Sequence, residues 1–122
     1  NPYGEVFGRD GRLVGASTAP TALREAQHYS ATGNFPGTNT TIGAIVTNAT
    51  LTKTEALKVA QMAHDGVARA IRPAHTLYDG DTLFAAATGA HGSMNLNRLG
   101  MLAADAVEGA IHNGVLSCDG EL

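Results

Sequence analysis

The stretch Thr41-Ile42-Gly43-Ala44-Ile45-Val46-Thr47-Asn48 is a near-continuous run of apolar and β-branched residues of strand length, and it sets the architecture. A buried strand begins there. Downstream, Thr52-Lys53-Thr54-Glu55 has the spacing of a capping box, in which two side chains satisfy backbone donors at a helix start. Leu57, Ala60, Ala63 or His64, Val67 and Ile71 then recur at three- and four-residue intervals, which predicts a helix ending near Arg72-Pro73. Thr82 to Thr88 reads as a second apolar strand and Gly89 to Met94 as a loop. Asn95 to His112 is a second helix, striped by Leu96, Leu99, Leu102, Ala103, Ala106 and Ala110. The tail after Gly114 is expected to fray. Both strands are apolar on both faces, so a sheet covered on each side within a layered α and β architecture is expected.

Upstream, Tyr3 to Phe7 and Arg12 to Val14 flank Gly8-Arg9-Asp10-Gly11 and predict a hairpin. Gly15 to Thr38 is mixed. It holds a candidate short helix at Pro20 to His28 and a turn-rich connector from Ala31 to Gly37. No internal repeat is apparent.

The chain has 122 residues, enough for one domain, with 15 glycines and no Trp. Its formal charge is −3 and its eight Lys and Arg are scattered, which argues against a nucleic-acid partner. Cys118 is the only cysteine, so no disulfide forms within one chain, in keeping with a cytoplasmic, reducing location. No apolar run approaches the roughly 20 residues of a membrane helix, and no secretion signal opens the chain. The first residue is Asn and Asn1-Pro2-Tyr3-Gly4-Glu5-Val6 reads as mid-domain, so an upstream part is expected.

Two local features bear on chemistry. In Gly37-Thr38-Asn39-Thr40-Thr41 a turn-rich segment runs straight into a buried strand, with a hydroxyl residue at the junction. A threonine is a weak nucleophile unless a base takes its proton, and a Thr at a chain start carries its own base, an α-amine with a pKa of about 7.7 to 8.0. That requires a break between Asn39 and Thr40. The same residues also read as a polar turn before a strand, and spacing alone does not choose. The second feature is Asp79-Gly80-Asp81 before the second strand, where residues two apart point to one side. Two carboxylates sharing a site repel unless a proton or cation intervenes, which favours a raised pKa on one of them. A solvated turn is the alternative.

The blocks Asn39 to Asn48, Ala60-Gln61-Met62-Ala63-His64-Asp65-Gly66 and Ile71 to Ala85 together resemble the P1 peptidase family, which includes the L-aminopeptidase/D-esterase DmpA, β-peptidyl aminopeptidases and nylon-oligomer hydrolases. The resemblance implies an amide hydrolase made as one precursor and cut into two subunits, residues 1–39 ending the large one and 40–122 forming the small one. Thr40 falls on the nucleophile position. Asp79 and Asp81 fall where the nylon-hydrolase-like branch has paired aspartates and the aminopeptidase branch has Ser and Glu. Asn1 matches an oxyanion-hole asparagine. The resemblance further implies an α+β, four-layer αββα sandwich of the DmpA and ornithine acetyltransferase type, of which this chain supplies part. It also implies a homo-oligomer, a small peptide or amide substrate, an upstream large-subunit segment and no cofactor. Ornithine acetyltransferases share the layering and the Thr nucleophile, so acyl transfer to an amino acid is an alternative activity, and a fragment with the bond uncut is a non-enzymatic one.

His28, His64, His75, His91 and His112 lack metal-ligand spacing on one helix face, and no metal is expected. His75 with Asp79 and Asp81 is the one constellation suited to a divalent cation. Asn39-Thr40-Thr41 and Asn48-Ala49-Thr50 match glycosylation acceptors without a secretory context. Met62, Met94 and Met101 read as core filling.

Overall fold

A computed structural model describes residues 2–15 and 39–118. Asn1 and the expected helix and connector between Pro20 and Gly37 lie outside them. The expected hairpin is present as β1 (Glu5–Phe7) and β2 (Leu13–Gly15), paired antiparallel with a bulge between Val6 and Phe7. Its turn closes through Gly8 N–H to Arg12 O at 2.8 Å and the Asp10 carboxylate to Arg12 N–H at 3.0 Å. Gly11 sits at φ 79°, a left-handed conformation that costs glycine least.

The strand, helix, strand, helix order also holds: β3 (Ile42–Thr47), α1 (Lys53–Ala70), β5 (Thr82–Ala87) and α2 (Leu96–Cys118). Between α1 and β5 lies β4 (Ile71–Arg72), which pairs antiparallel with β1 and gives one sheet the order β2-β1-β4. β3 and β5 form a second, parallel sheet, with α1 as the crossover that a parallel pair requires.

The helix starts follow from their caps. Thr52 accepts the Glu55 N–H at 3.3 Å while Glu55 Oε2 accepts the Thr52 N–H at 2.8 Å, so the capping box forms. These bonds hold the Glu55 carboxyl below its ordinary pKa, the backbone donor contributing most. At α2, Asn95 Oδ1 accepts the Arg98 N–H at 3.0 Å.

The core lies between the helices, the inner face of β5 and β1, with Val59, Ala63, Val67 and Ala70 fully buried on α1 and Leu99 and Ala103 buried on α2. A methyl added at Gly66 would run into the Ala104 carbonyl, so the glycine sets the closest approach of the two helices. Buried Glu108 on α2 meets Arg9 of the hairpin turn at 3.0 Å and Arg69 of α1 at 3.9 Å. His112 Nε2 donates to Phe7 O at 2.7 Å, and the hairpin is thereby tied to α2.

Four expectations need correction. Ile71 ends the apolar stripe of α1 in sequence but belongs to β4, because its backbone leaves the helix in an extended conformation to pair with Val6. Leu57 and Leu102 are exposed rather than buried, since the true α1 face runs through Val59, Ala63 and Val67, and α2 turns Ala103 and Ala104 inward. α2 continues to Cys118 instead of fraying after Gly114, helped by Ser117 Oγ and Cys118 Sγ donating to the Gly114 carbonyl. Finally, the β3–β5 sheet is covered on only one face among the described residues. Leu83 and Ile45 turn inward, whereas Ile42 and Val46 are each 72% exposed and Phe84 is 61% exposed. No helix of the described residues is long and apolar enough to cross a membrane.

Candidate active site

The parallel register that pairs Ile42 with Thr82 continues upstream to an isolated bridge between Asn39 and Asp79 at the same offset. Thr40 is therefore level with Gly80, between the two aspartates. Main-chain bonds lock this arrangement: Asn39 N–H to Tyr78 O at 2.9 Å, Gly80 N–H to Asn39 O at 2.7 Å and Thr82 N–H to Thr41 O at 2.9 Å.

All four oxygens of the two carboxylates accept hydrogen bonds. Asp79 Oδ1 takes the Tyr3 N–H at 3.1 Å, and its Oδ2 takes the Thr76 N–H at 3.0 Å and the Thr76 hydroxyl at 2.6 Å. Asp81 Oδ1 takes the Thr41 N–H at 2.8 Å, and its Oδ2 takes the His75 N–H at 3.3 Å and meets His75 Nδ1 at 2.7 Å. The side chain of Asp81 is only 5% exposed, so these donors replace water. Each acid has its own set of donors, in part because Thr76 and His75 of the loop before β5 reach one acid each.

The Thr40 hydroxyl is half-buried and donates to the Asn39 carbonyl oxygen at 2.5 Å. That oxygen thus accepts from both the hydroxyl and the Gly80 amide. Donors on a carbonyl oxygen favour attack at its carbon, since they stabilise the charge that develops there. The next hydroxyl along the strand, Thr41 Oγ1, is buried with no hydrogen-bond partner among the described residues, and Thr41 lines an apolar groove of about 220 Å³ together with Gly43, Leu83, Val107 and Ile111.

Two histidines meet beside Asp81. The rings of His64 on α1 and His75 pack edge-on, with centroids 4.9 Å apart. Burial holds His64 below its ordinary pKa, with His75 adding to the effect and Asp81 and Asp65 opposing it. Among the described residues no three His, Cys, Asp or Glu side chains are placed to hold a metal ion, and His75 Nδ1 is engaged by Asp81.

Thr40, Asp79 and Asp81 are thus brought together, and the Tyr3 amide on Asp79 draws in the segment that follows Asn1. Asn1 itself is outside the described residues. Thr76 and His64 are the members that sequence reasoning passed over. Thr76-Leu77-Tyr78-Asp79 has the same Thr-x-x-acid spacing as the helix cap at Thr52, a signal available in the sequence. The His64 contact carries no such signal.

Several known proteins are similar. An uncharacterised aminopeptidase of Mycobacterium leprae (strain TN) is 62% identical over 52 residues, covering 43% of this chain and 14% of that protein. A counterpart in Mycobacterium tuberculosis (strain ATCC 25618 / H37Rv) is 60% identical over 52 residues, covering 15% of its length. A 6-aminohexanoate-oligomer endohydrolase of Kocuria sp. (strain KY2) is 39% identical over 97 residues, 72% of this chain and 27% of that protein. The chain therefore spans less than a third of each of these relatives. The family description for peptidase family S58 matches residues 5–120, from β1 past the end of α2, and the chain belongs to that family.

Proposed function

We propose that this chain is the catalytic C-terminal part of a self-processing amide and peptide hydrolase whose nucleophile is Thr40. The observation that carries the reading is the clamp on Asn39-Thr40-Thr41. The hydroxyl lies 2.5 Å from the Asn39 carbonyl oxygen, that oxygen also receives the Gly80 amide, and Asp81 holds the Thr41 amide.

In maturation, Thr40 Oγ1 attacks the Asn39 carbonyl carbon, the hydroxyl proton passes to the Thr40 nitrogen as the Asn39–Thr40 C–N bond breaks, and the acyl group is left on Oγ1 as an ester. Water then releases the Asn39 carboxylate and leaves Thr40 with a free amine. Residues 1–39 become the end of a large subunit and 40–122 the small one. In turnover, the amine accepts the hydroxyl proton as Oγ1 attacks a substrate amide and then protonates the departing amine, and water hydrolyses the acyl-enzyme. Asp81 and Asp79 orient the amine and hydroxyl, and Asn1 with backbone N–H groups stabilises the oxyanion.

The names borne by the relatives support a small peptide or an amide oligomer as substrate. The aspartate pair favours the nylon-hydrolase-like branch. The exposed Ile42, Val46 and Phe84 support a second sheet packed there, as in a four-layer αββα sandwich completed by an upstream segment, within a homo-oligomer. Cys118, a free exposed thiol, suits the cytoplasm as the location.

The test is turnover by wild type, Thr40→Ala and Thr40→Ser on α-amino-acyl amides and 6-aminohexanoate oligomers. Loss of roughly 1,000-fold or more in Thr40→Ala, with partial activity in Thr40→Ser, is the expected outcome. Undiminished hydrolysis by Thr40→Ala removes the reading, and acetyl transfer to an amino acid outpacing hydrolysis moves it to an acyltransferase.

A further inference from the structure

We propose that His75 is a positioning residue for Asp81, fixing that carboxylate against the Thr40–Thr41 segment through a two-point grip and drawing off part of its charge. This rests on the reading of Asp81 as the partner of the Thr40 amine.

The grip comes from a single residue, as the grip of Thr76 on Asp79 does, but here one of its two points is a titratable ring. His75 sits at φ 56°, a left-handed conformation that histidine adopts more readily than most side chains. There its main-chain N–H, at 3.3 Å, and its ring Nδ1, at 2.7 Å, both meet Asp81 Oδ2. An ionised carboxylate only accepts, so Nδ1 carries a proton and the tautomer is set. The Asp81 side chain is 5% exposed and that of His75 39% exposed, so the acid is withdrawn from water while the ring that holds it still meets solvent. The titratable groups in contact with the ring are Asp81 from the loop and His64 from α1. The His64 ring, whose pKa burial holds below its ordinary value, packs edge-on against His75.

The consequence for the reaction has a sign. The Thr40 amine acts as base only when neutral, and an uncompensated carboxylate beside it favours the ammonium form. His75 spends part of the Asp81 charge and so lowers the pH at which the amine becomes competent. Without the ring, the acid limb of kcat moves to higher pH.

Kinetics across the neutral pH range, on protein expressed from its full open reading frame, compare three variants. His75→Gly tolerates the left-handed backbone but removes the ring, His75→Asn keeps a donor near Nδ1 and also tolerates it, and Thr40→Ala reports on the parent reading. His75→Gly is expected to lose roughly 10-fold in kcat with KM little changed, and its acid limb to rise by about 0.5–1 pH unit. His75→Asn is expected to stay within about threefold of wild type. An unchanged kcat and acid limb in His75→Gly overturns the proposal. So does equal impairment of both His75 variants with an unmoved limb, and a severe loss in His75→Asn overturns it even if His75→Gly does not fold. An active Thr40→Ala instead points to failure of the parent reading.

Discussion

The two ends of the β3–β5 pair are closed by different chemistry. At the C-terminal end, Thr88 N–H bonds Thr47 O at 2.9 Å, Gly89 N–H bonds Ala49 O at 3.2 Å, His91 N–H bonds Asn48 O at 2.8 Å and Thr50 N–H bonds Gly92 O at 2.7 Å. Hydroxyls add to these, with Thr50 Oγ1 on Gly89 O at 3.2 Å and Thr47 Oγ1 accepting the Ala49 N–H. Among the described residues no ionised side chain takes part there. The N-terminal end is tied by three such main-chain bonds against four, and it also carries Asp79, Asp81 and the ring of His75. Joining two parallel strands therefore does not require carboxylates. Burying carboxylates costs solvation that must be returned by hydrogen bonds, and the proposed function supplies a reason for that cost at only one end.

Substitutions at the two ends put this difference at risk. The largest effect is expected from Asp81→Asn, which should lower turnover by roughly 100-fold or more, because the amine loses its charged partner while the shape is kept. Thr50→Val at the opposite end should cost about 1 kcal/mol in chemical denaturation and leave turnover unchanged. A reversal of that pattern would erase the contrast.

A second comparison separates the sheet ends from the helix layer beneath both. Gly66→Ala places a methyl against the Ala104 carbonyl and should destabilise by about 2 kcal/mol, read as a lower denaturation midpoint, even though alanine is the better helix former. Turnover per folded molecule should not change.

The pH dependence of stability sharpens the asymmetry. His64 is held below its ordinary pKa, so the unfolded chain binds its proton more readily than the folded one. Its contribution is fully present above the unfolded value of 6.5 and is lost as pH falls from there through the folded value. His64→Asn should flatten stability against pH in that window, and an unaltered slope would show that another group governs it. Smallest is Thr41→Val, which removes a buried hydroxyl that has no partner among the described residues and should be neutral or stabilising by up to about 1 kcal/mol in the same denaturation assay.

How far these regions were legible in the sequence follows the same divide. Features written in short spacing survived: the β-branched run at Ile42 to Thr47, the Thr52 and Glu55 cap, and the Asp79-Gly80-Asp81 step into β5. Features that depend on a distant partner did not. β4 is two residues long and exists because β1 lies beside it, so periodicity assigned Ile71 to the helix. Leu57 and Leu102 fit their helical stripes yet face outward, because small residues such as Gly66 and Ala104 let the helices approach along another face. The placement of the two acids at the entry to β5 was legible because turn chemistry and strand register act locally. The hold of His75 on Asp81 was not, since it depends on a left-handed φ that the sequence His75-Thr76 does not dictate.

The proposal stands or falls with one peptide bond, and intact-mass analysis of active purified protein, followed by identification of the new terminus, tests it directly. Two polypeptides are expected, the smaller beginning with Thr40 and carrying a free amine. Fully active material in which Asn39 and Thr40 remain joined, or which is cut at some other bond, would contradict it.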